Sequence, residues 1–210
     1  MKIRLVALVL FLLIGIALEP LTWGFSLNRY QLIPTAVTSR GVFPSELAGQ
    51  KWFLQAQGGQ SYVFFSADHR YVLKFFKDQP RPYLNYPSYV ALKMKKLHRT
   101  LTGYSLIYDR CHDLSGIICL HTQRSHPIPA TLIDRLGITH SVDLNDYLFV
   151  VQHKAEHIQT KDLNASAESI IQTLSTHHLT DHDPRLHKNL GTIDGHLIVI
   201  DPGRIVECHQ

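Results

Sequence analysis

The stretch Asp181–Arg204 reads DHDPRLHKNLGTIDGHLIVIDPGR and sets an acid, an amide and a second acid along a short path of chain. Asn189 follows Asp183 by six residues, and Asp201 follows Asn189 by twelve. Between the last two, Gly191 and the Asp194-Gly195 pair flank an apolar run from His196 to Ile200. Asp-Gly ahead of such a run predicts a hairpin, because both turn positions tolerate positive φ. The hairpin would hold Asn189 at one end and Asp201 at the other, close in space. Oxygen ligands gathered in this way suit a hard cation such as magnesium carrying phosphates. As plain local structure, the same residues read as two turns, Asp201-Pro-Gly after a strand and Asp183-Pro184 at a helix-breaking corner.

The whole chain has 210 residues, enough for one domain with a sizeable core or for two small lobes. With 45% apolar and 18% charged residues the composition is globular, which excludes a disordered chain. The formal charge of +4 is mild and owes part of itself to Lys2 and Arg4, so no nucleic-acid partner is expected. Lys93, Lys95, Lys96 and Arg99 read as the wet side of a helix. Cys111, Cys119 and Cys208 form no disulfide framework. The first two bracket a hairpin reading of Asp113-Leu-Ser-Gly116, and either pair in an oxidising compartment or stay as buried, idle thiols.

At the N-terminus, Lys2 and Arg4 precede an unbroken apolar run, Leu5 to Leu18, closed by Glu19-Pro20. That length matches the apolar core of a signal peptide and is short for a spanning helix. Residues 1–24 are therefore either a signal peptide or an uncleaved membrane anchor. Positive charge ahead of the run puts the body across the membrane from the cytoplasm, exported or anchored, in the periplasm, outside the cell or delivered to a host.

Further along, Trp52–Leu54, Ser61–Phe65 and Tyr71–Phe76 read as three antiparallel strands around Gln57-Gly58-Gly59-Gln60 and a second tight turn. Gly58 and Gly59 would let backbone amides approach phosphates, although Gly-Gly in a hairpin is also an ordinary turn. Lys74 lies inside Val-Leu-Lys-Phe-Phe; it either points outward from an edge strand or is buried and needs a partner or ligand. Val90, Leu92, Met94, Leu97 and Leu101 give one face of a helix from Tyr89 to Leu101, with Gly103 as its stop. Strand patterns follow at Ser105–Tyr108 and Gly116–His121, then a polar loop, Gln123–Ala130, and a strand at Asp146–Gln152. A second helix is expected over Ala165–His177, with Asn164 as N-cap.

This order of features resembles the protein-kinase-like superfamily over roughly residues 50–204, with the look of a small, divergent, C-terminally truncated bacterial member. There an Asp lies shortly ahead of an Asn, and a hairpin leads to an Asp-x-Gly triplet, here Asp183, Asn189 and Asp201-Pro202-Gly203. The resemblance implies an α+β, two-lobed protein-kinase-like fold with a small antiparallel-sheet N-lobe and a minimal C-lobe. The segments would be 25–49 as an irregular lead-in, 50–153 as the N-lobe-like sheet plus helix, and 154–210 as the minimal C-lobe. It implies ATP with Mg²⁺ or Mn²⁺ as cofactors: Gly58, Gly59 and Lys74 on the nucleotide, Asn189 and Asp201 on the metal. Asp183 would act as base or orienter for a hydroxyl acceptor of unknown identity, and Arg185 would steady the transferred phosphoryl group. His153–Glu156 would be the hinge that binds adenine.

Several residues depart from the family pattern. The Asp-to-Asn interval is six where five is usual, Asp181 stands where His is usual, and Pro202 replaces an aromatic residue. No Glu or Asp occurs between Gln79 and Thr102, so the helix acid that ordinarily pairs the strand Lys is missing. Lys74 would then be held by Asp201 or phosphate alone, or by an acid from elsewhere such as Glu46. The chain stops at Gln210, which on this resemblance leaves out the activation segment and the later large-lobe helices. Two other readings stand beside an active phosphotransferase. One is a pseudokinase or nucleotide-sensing module. The other is an exported metal-binding protein that uses His177, His178, His182, His187 and His209 near Asp181 and Asp183.

Overall fold

A computed structural model describes residues 25, 27, 32, 35–58, 60–77, 86–158, 162–183 and 186–208. The fold is α+β, as the sequence leads one to expect. Seven strands form the main sheet: β1 Lys51–Gln57, β2 Ser61–Ser66, β3 Tyr71–Phe76, β4 Ile117–His121, β5 Pro129–Ile133, β6 Thr139–Asp143 and β7 Phe149–His153. Their order across the sheet is β4-β7-β3-β2-β1-β5-β6, antiparallel throughout except for the parallel β1–β5 pair. Helix α1, Pro87–Arg110, joins β3 to β4. After β7 come β8 Glu156–His157, helix α2 Leu163–Thr176, β9 Leu179–Asp181, β10 Leu190–Ile193, β11 His196–Val199 and β12 Ile205–Glu207. Here β11, β10 and β8 make a small sheet, while β12 pairs with β9.

The main sheet is covered on both faces. Trp52, Tyr62, Phe64, Leu73, Phe75, Phe149 and Val151 pack on one side, and Phe76, Val150 and the buried faces of α1 and α2 pack on the other. Since side chains alternate across a strand, Lys74 shares the helix side of β3 with Phe76. Lys74 is 7% exposed, which excludes the edge-strand reading. Burial on both faces also explains why β3 reads as a continuous apolar run.

Helix α1 runs nine residues past Leu101, through Gly103 and through Ser105–Tyr108, which had read as a strand. Gly103 is not a stop, because it meets neighbouring backbone: a Cβ there would lie 2.2 Å from the Pro202 carbonyl oxygen. Leu97, Leu101, Tyr104 and Ile107 are the buried face, while Leu92, expected inside, is exposed. Asp113–Gly116 is not a hairpin; His112–Leu114 forms a single 3-10 turn after α1, and Cys111 and Cys119 are both free thiols. Within the loop expected over Gln123–Ala130 the chain already enters β5 at Pro129, a first-residue position where the missing N–H costs nothing. Helix α2 begins at Leu163 behind Asp162, so Asn164 lies inside it and is not its cap. The Asp194-Gly195 turn is as expected, with φ of 50° and 79°, and it joins β10 to β11. No helix among the described residues is long and apolar enough to cross a membrane; the segment 1–24 lies outside them.

Candidate functional site

Three stretches of chain meet at Tyr104, on the buried face of α1. The Lys74 ammonium, on β3, donates to the Ile200 carbonyl at 2.6 Å and to the Tyr104 hydroxyl at 3.3 Å. That hydroxyl in turn donates to Asp201 Oδ1 at 3.2 Å. The result is a directional chain from cation through hydroxyl to carboxylate. Burial pushes the Lys74 pKa down, and the nearby Asp201 charge works against the shift. Burial together with Asp201 pushes the Tyr104 phenol well above its usual value, so Tyr104 stays a neutral hydroxyl. Glu46 is exposed in the lead-in segment and does not partner Lys74 among the described contacts.

The Asp201-Pro-Gly turn packs along the same helix. Gly203 N–H donates to Asp201 Oδ1 at 3.4 Å, and an added Cβ on Gly203 would meet Thr100 Cγ2 at 3.0 Å. Thr100 also donates to the Gln60 side chain at 3.3 Å, which draws the β1–β2 turn onto this helix. Gly58 sits in that turn. Its N–H bonds Ser61 O at 2.9 Å and its carbonyl accepts from Lys77 Nζ at 2.7 Å. Thr100, Gly103 and Tyr104 therefore lie on one stripe of α1 that meets the Gly58 turn, the Asp-Pro-Gly turn and Lys74. Gly59 and Arg185 lie outside the described residues.

On the other side of the β10–β11 hairpin, Asn189 Nδ2 donates to Asp183 Oδ2 at 3.1 Å. The six-residue interval between them is taken up partly by a 3-10 turn, Leu186–Asn189. Asn189 O accepts from Ile200 N at 2.6 Å, which closes the hairpin base and sets Asn189 beside the residue that precedes Asp201. Arg204 Nε lies 3.7 Å from Asp183 Oδ2, and the Asp183 side chain is 9% exposed. Asp181 Oδ1 accepts from Asp183 N–H at 2.6 Å, while its Oδ2 is buried with no hydrogen-bond partner among the described residues. Burial raises the Asp181 pKa. The Asp183 N–H opposes this, and the charges of Asp183 and Asp201 add to it.

Lys74, Asp183, Asn189 and Asp201 are thus linked through Ile200 and Tyr104 into one constellation. Sequence reading alone missed Tyr104, Thr100 and Arg204. Tyr104 was legible in principle: it extends the Leu97, Leu101 spacing once the helix is allowed to pass Gly103. No group of three or more His, Cys, Asp or Glu able to hold a metal occurs among the described residues. A hard cation here would share its coordination between Asn189, Asp201 and a ligand's phosphates, as magnesium does with one or two protein oxygens. A separate cleft of about 860 Å³, lined by His112, Ile117, His153, Ile193 and Leu197, includes neither Lys74 nor Asp201.

No protein-family profile matches this chain, and no curated protein matches it significantly. Among solved structures, it is similar to the bifunctional kinase-methyltransferase WbdD, with 17% identity over 77% of this chain and 35% of that one, at a TM-score of 0.42. It is also similar to Rv3197 in complex with erythromycin, from Mycobacterium tuberculosis, with 14% identity over 77% of this chain and 48% of that one, at a TM-score of 0.41. The chain spans about a third to a half of the length of these structures.

Proposed function

We propose that this protein binds ATP together with a divalent cation and transfers the terminal phosphate to a hydroxyl acceptor. The observation that carries this reading is the buried cation–hydroxyl–carboxylate chain Lys74–Tyr104–Asp201, beside the Asp183–Asn189 pair. A buried ammonium with only neutral direct partners is expensive to keep, and anionic phosphate is a natural ligand for it. In this reading Lys74 holds the α- and β-phosphates, and the Gly58 turn covers them. Asn189 and Asp201 hold Mg²⁺ or Mn²⁺, which neutralises phosphate charge when bound. Asp183 orients the acceptor hydroxyl and takes its proton as the acceptor oxygen bonds to the terminal phosphorus. The bond from that phosphorus to the bridging oxygen breaks, and ADP leaves. Arg185 steadies the charge on the transferred group. Positioning and charge neutralisation are most of what this chemistry requires, so a small scaffold suffices.

A second reading is nucleotide binding without transfer, as in a sensing module or pseudokinase. It is favoured by the closed state of Asp183, whose side chain is 9% exposed and held between Asn189 and Arg204. Either reading includes export or membrane anchoring by residues 1–24, and the hydroxyl acceptor belongs to the first alone.

The test is the thermal unfolding midpoint of the purified full-length chain with ATP and Mg²⁺. We expect a rise that Asp201→Ala abolishes and Lys74→Ala reduces. No rise in the wild type would overturn both readings. A rise without formation of ADP or of a phosphorylated product would select binding without transfer.

A further inference from the structure

We infer that Tyr104 is the positioning residue of this site: its hydroxyl aligns Lys74 with Asp201, doing through a neutral group what an acidic side chain on the helix would otherwise do. This rests on the nucleotide-binding reading above and deepens it. The Lys74 ammonium must find acceptors where it is buried, and α1 offers no Asp or Glu on its buried face. A phenol oxygen can accept from a cation and donate to a carboxylate at the same time. Tyr104 does both, at 3.3 Å from Lys74 and 3.2 Å from Asp201.

The ring is itself held in place. It is 1% exposed and packs edge-on against Phe76, with centroids 5.3 Å apart, so the hydroxyl is delivered from a fixed body. Gly103, the residue just before Tyr104, lies against the Pro202 carbonyl, which keeps Tyr104 and the Asp-Pro-Gly turn in register. Three chain segments far apart in sequence, β3, α1 and the turn after β11, are therefore oriented by one oxygen atom. An acid at this position would neutralise Lys74. A hydroxyl orients it and leaves its charge, apart from Asp201, for an incoming phosphate.

Tyr104→Phe tests this, because it keeps the ring and its packing and removes only the hydroxyl. Mg²⁺–ATP affinity of the full-length chain should fall roughly tenfold, the usual scale for a hydrogen bond to a charged group. Tyr108→Phe, one turn along the same helix, should leave the affinity unchanged. In a Lys74→Ala background, Tyr104→Phe should cost less than about twofold, because the group it acts through is gone. Equal losses in both backgrounds, or no loss in the wild-type background, would overturn the assignment of Tyr104 while leaving nucleotide binding intact. No Mg²⁺–ATP binding by the wild type would overturn both.

Discussion

Gly103 lies in the interior of α1, where glycine is ordinarily about 1 kcal/mol worse than alanine. Here the backbone of Pro202 decides the residue, since a Cβ would come within 2.2 Å of its carbonyl oxygen. Overpacking against backbone costs about 1–3 kcal/mol, so the clash outweighs the gain in helix propensity. Gly103→Ala should therefore lower the denaturant midpoint and weaken nucleotide binding by displacing the Asp-Pro-Gly turn. Unchanged or increased stability would contradict the close contact. Asp181 gives a pH signature at the same scale. Its folded pKa is raised, so the carboxyl costs nothing while protonated and becomes destabilising as pH climbs from the unfolded value near 3.9 through the folded one. Wild-type stability should lose ground to Asp181→Asn across that window, and denaturant midpoints against pH would show it. Sequence reading singled out Asp183, Asn189 and Asp201 because their chemistry is visible in residue type, and the structure brings Asp183 and Asn189 into contact. It left Lys74 between two orientations because both faces of β3 are buried, which erases the alternation that would have decided the matter.

Elements with their own turn chemistry were legible. The β10–β11 hairpin followed from Asp194-Gly195, and the structure gives both residues positive φ. Helix α1 was cut short because its glycine answers to a tertiary contact that no local pattern records. Strands β5 and β6 went unread for a different reason: β6, Thr139–Asp143, is a polar edge strand with no buried residue, and β5 opens on a proline. A nonlocal pairing with β1 brings β5 into the sheet, and β6 joins it only by pairing with β5. The thiols report on the packing of these elements. Burial pushes the Cys119 thiol up to about 12, whereas Cys208 is exposed. A thiol reagent at mildly alkaline pH should label Cys208 rapidly in the native chain, and Cys111 and Cys119 only after denaturation. Fast native labelling of Cys119 would contradict its buried place in β4, paired with Val151 of β7.

Across the whole molecule, two apolar clusters flank one curled sheet, and the second carries α1 and α2 down to the β9–β12 pair. The site stands on the side of the sheet where these helices pack, and its members come from β3, from α1 and from the Asp183–Asp201 stretch. For this reason the ordered series of motifs was legible while the atom that joins them was not: Tyr104 meets Lys74 and Asp201 across separations of 30 and 97 residues. Calorimetric titration of ATP into the full-length chain, with Mg²⁺ present and then chelated, decides whether this site takes a metal–nucleotide complex. The expected result is single-site binding that needs the metal and disappears in Asp201→Ala. Binding that ignores the metal, survives Asp201→Ala unchanged, or is absent from the wild type would contradict it.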